Sequence, residues 1–170
     1  MAVRFLIASL TAIALLLGAQ AIAVAAGSHD EEEIRKLVDL EVSSASARDL
    51  DKVMSVYWKN TDFVLYDAAV QEPFVGWDAL RGIYEEYFKT FAGSMEGKVN
   101  DLNVGTAKDL GYAFSTQTWK FTKPDGTVTT VVQRVTNIYK KIDGRWQCIH
   151  EHASLPVNLL GPKPTETKKK

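Results

Sequence analysis

The chain has 170 residues, 46% of them hydrophobic and 24% charged, with 20 Lys and Arg against 21 Asp and Glu for a formal net charge of −1. That balance carries no electrostatic footprint for nucleic acid or for an acidic membrane surface. The one cysteine, Cys148, excludes an internal disulfide, so the domain must rest on its apolar core.

The first residues read as a targeting segment. Arg4 supplies a positive start, "FLIASLTAIALLLGA" an apolar run short for a membrane span, and "AIAVAA" small residues suited to a signal peptidase. A cleavable secretory signal over residues 1–25 is expected, with a periplasmic or secreted product that has no membrane attachment after cleavage. Removing 25 of 170 residues leaves 145, the size of one domain. That domain is expected over residues 28–160, followed by a disordered basic tail, residues 161–170, ending "TETKKK".

Ser28-His29-Asp30-Glu31 has capping-box spacing, and Ile34, Leu37, Val38, Glu41 and Ala45 then mark one face of an amphipathic helix. Glu41 is the odd member of that apolar face. Asp49 can cap a shorter helix carrying Val53, Met54 and Tyr57. "FVLYD" reads as a strand, and Trp77, Leu80, Tyr84, Tyr87, Phe88 and Phe91 set out a third helix whose aromatic stripe suits a core. The remainder alternates: "KVNDLNV", "GYAFSTQTWKFT", "TVTTVVQRVTNIYKK" and "RWQCIHEHAS", joined at Lys108-Asp109-Leu110-Gly111, Pro124-Asp125-Gly126 and Asp143-Gly144. The order predicts an α+β domain: a curved antiparallel sheet wrapped around the N-terminal helices, leaving a conical cavity.

"RDLDKVMSVY", "FVLYD", "GWDALRGIYEEYF", "QRVTNIYKK" and "DGRWQCIHEHASLP" resemble, in order and spacing, the SnoaL-like group of the nuclear transport factor 2-like superfamily, which includes ketosteroid isomerase and limonene epoxide hydrolase. The resemblance implies a cone-shaped fold with a pocket, and does not by itself imply a reaction. Its motifs place Asp67 where the isomerase carries its base. At the position of the isomerase's oxyanion-binding tyrosine stands Glu41, and a carboxylate stabilises a developing enolate only while it stays protonated. Arg134 matches the arginine of the epoxide hydrolases, whose following acid is lost here, and Glu151 matches their acid on the last strand.

Asp67, Glu41, Glu151 and Arg134 are thus the candidate catalytic residues, with Tyr66, Trp119, Thr136 and Gln147 as candidate ligand contacts. By the resemblance Gln147, Ile149, Glu151 and Ala153 face the pocket, and Trp146, Cys148, His150 and His152 the other side. Periodicity alone favours the reverse, since Trp146 and Cys148 look more core-like. An inward Arg134 requires a partner, Glu151 or Glu41, either as a structural ion pair or as the holder of a ligand's carbonyl or carboxylate. Two histidines on one strand edge fall short of the three ligands a metal needs, so no metal site is expected. The absence of phosphate-binding and dinucleotide motifs gives no support for a cofactor. The expected protein is a homodimer with a pocket for a small apolar or carbonyl- or carboxylate-bearing molecule. It is a lyase, isomerase or hydrolase working by general acid–base chemistry, or else a non-catalytic binding or assembly module.

Overall fold

The structure, a computed structural model, describes residues 29–157. The expected signal segment, Ser28 and the basic tail lie outside the described residues. A first helix, α1, occupies residues 29–47, and its apolar face is buried through Ile34, Val38, Val42 and Ala45. Its start is pinned to the last hairpin of the chain, because Asp30 Oδ1 accepts from Lys141 Nζ (2.5 Å) and from Trp146 Nε1 (3.0 Å). Arg48, at φ 56°, ends the helix, and Asp49 caps α2 (Leu50–Met54) by accepting from the Lys52 backbone N–H. Tyr57 lies beyond that short helix, in a backbone bridge to Cys148.

Strands β1 (Val64–Tyr66) and β2 (Phe74–Val75) precede α3 (Trp77–Thr90). Four long strands follow: β3 (Ser94–Ala107), β4 (Leu110–Thr122), β5 (Val128–Ile142) and β6 (Arg145–Ser154). Asp143 and Gly144 both take positive φ, 50° and 77°, which is the geometry a tight hairpin between right-twisted strands requires. The six strands form one sheet in the order β2-β1-β6-β5-β4-β3. β3 to β6 are an antiparallel meander, whereas β1 joins β6 in parallel. The sheet does not close. It curves around α1, and α3 packs beside α2 and β2.

Strand register decides which residues enter the cone. On β4 the odd-numbered residues from Gly111 to Trp119 point inward and are buried, and on β5 Val135, Asn137 and Tyr139 do the same. Arg134 and Thr136 therefore point to the outer face, which corrects their expected place inside. On β6 the ladder slips by one residue, with Ile138 opposite His150 but Tyr139 opposite Cys148, so that Ile149 is the extra residue of a β-bulge. Parity changes there. Trp146 and Cys148 are buried before the bulge, Glu151 and Ala153 after it, and Gln147, His150 and His152 lie outside. Each of the two opposed readings of this strand holds for half of it.

Candidate functional site

Inside the cone is a cavity of ≈ 230 Å³. α1 contributes Glu41 and Ala45, the end of β1 Leu65 and Asp67, and α3 Ile83, Tyr84, Tyr87 and Phe91. From β4 come Gln117, Trp119 and Phe121, from β5 Val131 and Gln133, and from β6 Glu151 and Ala153. The aromatic stripe of α3 is thus both core and wall. Phe91 packs on Phe121 at 4.7 Å between ring centroids, and Phe121 lies nearly parallel to Trp119.

The polar groups at the closed end form one network. Tyr57 donates its hydroxyl hydrogen to Glu151 Oε2 (2.9 Å), and Asn137 Nδ2 donates to the same oxygen (2.9 Å). Because Tyr57 has spent its hydrogen on the carboxylate, Tyr84 must be the donor in the 2.9 Å contact between the two tyrosine hydroxyls. Two hydrogen bonds on one oxygen orient the Glu151 carboxyl group. Glu41, 4% exposed, has no partner for its Oε2. Nearer the mouth Asp67 Oδ1 accepts from Tyr87 (2.8 Å) and from the Ala69 backbone N–H (2.7 Å). Gln117 accepts from the Trp119 indole (2.9 Å) and from Gln133 (3.4 Å).

Burial and mutual repulsion act differently on the two inner carboxyls. Desolvation first, and then the charge of Glu151, push the proton affinity of Glu41 well above the usual carboxylate range. Glu151 is raised less, to about 7: burial and the charge of Asp67 work against its ionisation, while the Tyr57 and Asn137 hydrogen bonds favour it. At neutral pH the closed end therefore holds one neutral carboxylic acid and one carboxyl group at the balance point between its two forms. Burial above all, with the nearby carboxylates, keeps the Tyr57 and Tyr84 hydroxyls and the Cys148 thiol protonated.

Of the residues singled out in the sequence, Glu41, Asp67, Glu151 and Trp119 line this cavity. Four others do not. Arg134 and Thr136 lie on the outer face, and Tyr66 is 48% exposed there, its ring edge-on to His150 and His152. Gln147, before the bulge, borders a separate groove beside the start of β6. The expected Arg134–Glu151 pair does not form, and among the described residues no Lys, Arg or His lines the cavity. Among the described residues no three His, Cys, Asp or Glu side chains come together as a metal site would need. Tyr57, Asn137, Tyr84 and Gln117 were missed. The available signal was a polar residue in a buried row, Val135-Asn137-Tyr139 on β5 and Ser115-Gln117-Trp119 on β4.

The profile of the SnoaL-like domain matches residues 34–158. No curated protein matches significantly. Among solved structures the chain is similar to an NTF2-like protein of unknown function from Pseudomonas putida KT2440, at 28% identity and TM-score 0.69, covering 78% of this chain and 91% of that one. It is also similar to a ketosteroid isomerase-like protein from Erwinia carotovora atroseptica SCRI1043 (21%, TM-score 0.64, 76% and 98%). An NTF2-like superfamily protein from Salmonella enterica serovar Typhimurium LT2 superposes with TM-score 0.71 at 17% identity, over 78% and 94% of the two chains. The last two likenesses speak to the fold alone.

Proposed function

The chain belongs to the SnoaL-like domain family of the NTF2-like superfamily, and from that premise we propose that it is a small-molecule enzyme working by general acid–base catalysis in the cone. The observation that carries this reading is the pairing of Glu41 with Glu151 on one largely apolar cavity, the first held neutral and the second poised near 7. Two like groups driven apart in proton affinity are the parts of an acid–base pair.

The reaction class that suits them is proton transfer beside a carbonyl. Ionised Glu151 takes a proton from the carbon next to a ligand's carbonyl, while the Glu41 carboxylic acid donates a hydrogen bond to the carbonyl oxygen as negative charge gathers there. In a β,γ-unsaturated ketone, return of the proton from Glu151 to the γ-carbon, as the double bond moves into conjugation, completes an isomerisation. Where a β-hydroxyl is present, the α,β double bond forms as the hydroxyl departs as water with the proton that Glu151 has taken, giving a dehydration. Tyr57 and Asn137 hold Glu151 in place and lower its proton affinity, and Asp67 raises it. Size sets the substrate class. An apolar cavity of about 150 Å³ holds benzene, so ≈ 230 Å³ suits one ring with short substituents. The proposed location, periplasmic or secreted, rests on the first 25 residues alone.

Hydrogen exchange at the α-carbon of one-ring ketones in deuterated buffer, followed by proton NMR, tests the chemistry without knowledge of the natural product. The native protein is expected to accelerate exchange, and Glu151→Gln to lower the rate by about 10²-fold or more. No acceleration over buffer across a panel of such ketones would overturn the catalytic reading and leave a binding protein.

A further inference from the structure

The cavity is unusual in what it offers a ligand to bond with. Three carboxyl groups, Glu41, Asp67 and Glu151, share it, and among the described residues no cationic side chain stands on its walls. Apart from the Glu41 carboxylic acid, the side-chain donors around it are already committed: Tyr84 to Tyr57, Tyr57 and Asn137 to Glu151, Tyr87 to Asp67, and the Trp119 indole to Gln117. Glu41 Oε2 is buried and without a partner, so the neutral acid has one hydrogen bond to give, whereas Asp67 and Glu151 add acceptor positions in surplus. A ligand group seated at Asp67 and Glu151 must therefore bring hydrogen-bond donors, and positive charge is favoured there over negative.

Two features say where such a group would sit. Leu65 is the register partner of Glu151, and Asp67 follows it by two residues, so Asp67 leaves β1 on the face that Glu151 shares. Beside these two carboxyls the wall is aromatic, from Tyr87 and Phe91 on α3 to Trp119 and Phe121 on β4, and such ring faces attract a cation. We propose that the ligand of this cavity carries a protonated amine on a ring-sized apolar body, with the ammonium group seated between Glu151 and Asp67 against the aromatic wall. This deepens the reading of the cavity as a ligand site and does not depend on its being catalytic. It also replaces the carboxylate-bearing ligand that an inward Arg134 would have suited.

Three probes of one size and different charge test it: benzylamine, benzyl alcohol and benzoate, titrated into the native protein at pH 8 by calorimetry. Benzylamine should bind about tenfold or more tightly than benzyl alcohol, and benzoate should not bind measurably. Asp67→Asn and Glu151→Gln keep the hydrogen-bond acceptors at those places, and each should shrink the preference for the amine over the alcohol. The proposal is overturned if the alcohol binds as tightly as the amine, if benzoate binds best, if the amine preference survives both substitutions, or if none of the three binds at millimolar concentration. A protein that shows the amine preference but no α-hydrogen exchange would sink the catalytic reading alone, and the opposite result would sink this one alone.

Discussion

Glu41 and Glu151 reach the same cavity from opposite ends of the chain, one on a helix and one on the last strand, and burying two carboxyls together has a consequence for stability. Glu151 binds its proton with a value of about 7 in the folded protein, against about 4.3 in an unfolded chain. Between those values the native state holds a proton that the unfolded state has released, so stability is fully present below the lower value and is lost as pH rises through the upper one. Glu41, also raised, acts in the same direction. Thermal unfolding should therefore show the midpoint falling from about pH 4.5 to pH 7, with roughly 3 kcal/mol at stake from Glu151. Glu151→Gln should flatten that part of the profile, because Gln keeps an acceptor for Tyr57 and Asn137 without the charge. A native midpoint that rises over this range would contradict the buried pair. At this scale the sequence was legible where a charged residue broke an apolar face, as Glu41 does. It was silent where a polar side chain was itself a plausible core member, as with Tyr57 and Tyr84.

At the scale of elements, the helices, strands and turns follow from periodicity and turn chemistry, and the misplaced residues all trace to strand parity. A side-chain period of two leaves no margin: one inserted residue moves every later side chain to the other face. The bulge at Ile149 has no signature in "QCIHEHA", since nothing there requires a special backbone angle. Arg134 was assigned by its match to a related motif, while the buried row Val135, Asn137 and Tyr139 fixes β5 the other way. One glycine does have a legible purpose once the register is known. Gly97 lies opposite Trp119, and a Cβ on it would come within 2.6 Å of the indole ring and 2.8 Å of Val42. Gly97→Ala should cost about 1–3 kcal/mol by forcing Trp119 from its place. Trp119 is cavity wall, so the same variant should weaken ligand binding by more than its stability loss explains. Unchanged melting and unchanged binding together would show that the Trp119 side chain shifts freely.

For the whole molecule, the curvature that makes a pocket on one side of the sheet leaves a convex surface on the other, and its composition is unlike that of an ordinary solvated face. Tyr112 and Phe114 stack at 4.8 Å and are 40% and 49% exposed. Register places Phe114, Thr136, His152 and Tyr66 in one row across β4, β5, β6 and β1, with Tyr112, Ile138, His150 and Val64 in the next. Two adjacent rows of aromatic, aliphatic and imidazole side chains make a contiguous, weakly hydrated patch of the kind that marks a contact surface. A second copy of the chain can meet it with the same residues about a two-fold axis, which is the commonest way soluble chains associate. We therefore propose that the homodimer expected from the sequence forms through this face, with the two cavities opening away from the contact. Light scattering at micromolar concentration should give the mass of two chains. Phe114→Glu, placing a charge at the β4 end of the patch and on the side opposite the cavity, should give one chain of unchanged fold whose pocket still binds the probe amine. A native protein that is monomeric at that concentration would refute the dimer. A dimer that Phe114→Glu leaves intact would move the interface elsewhere.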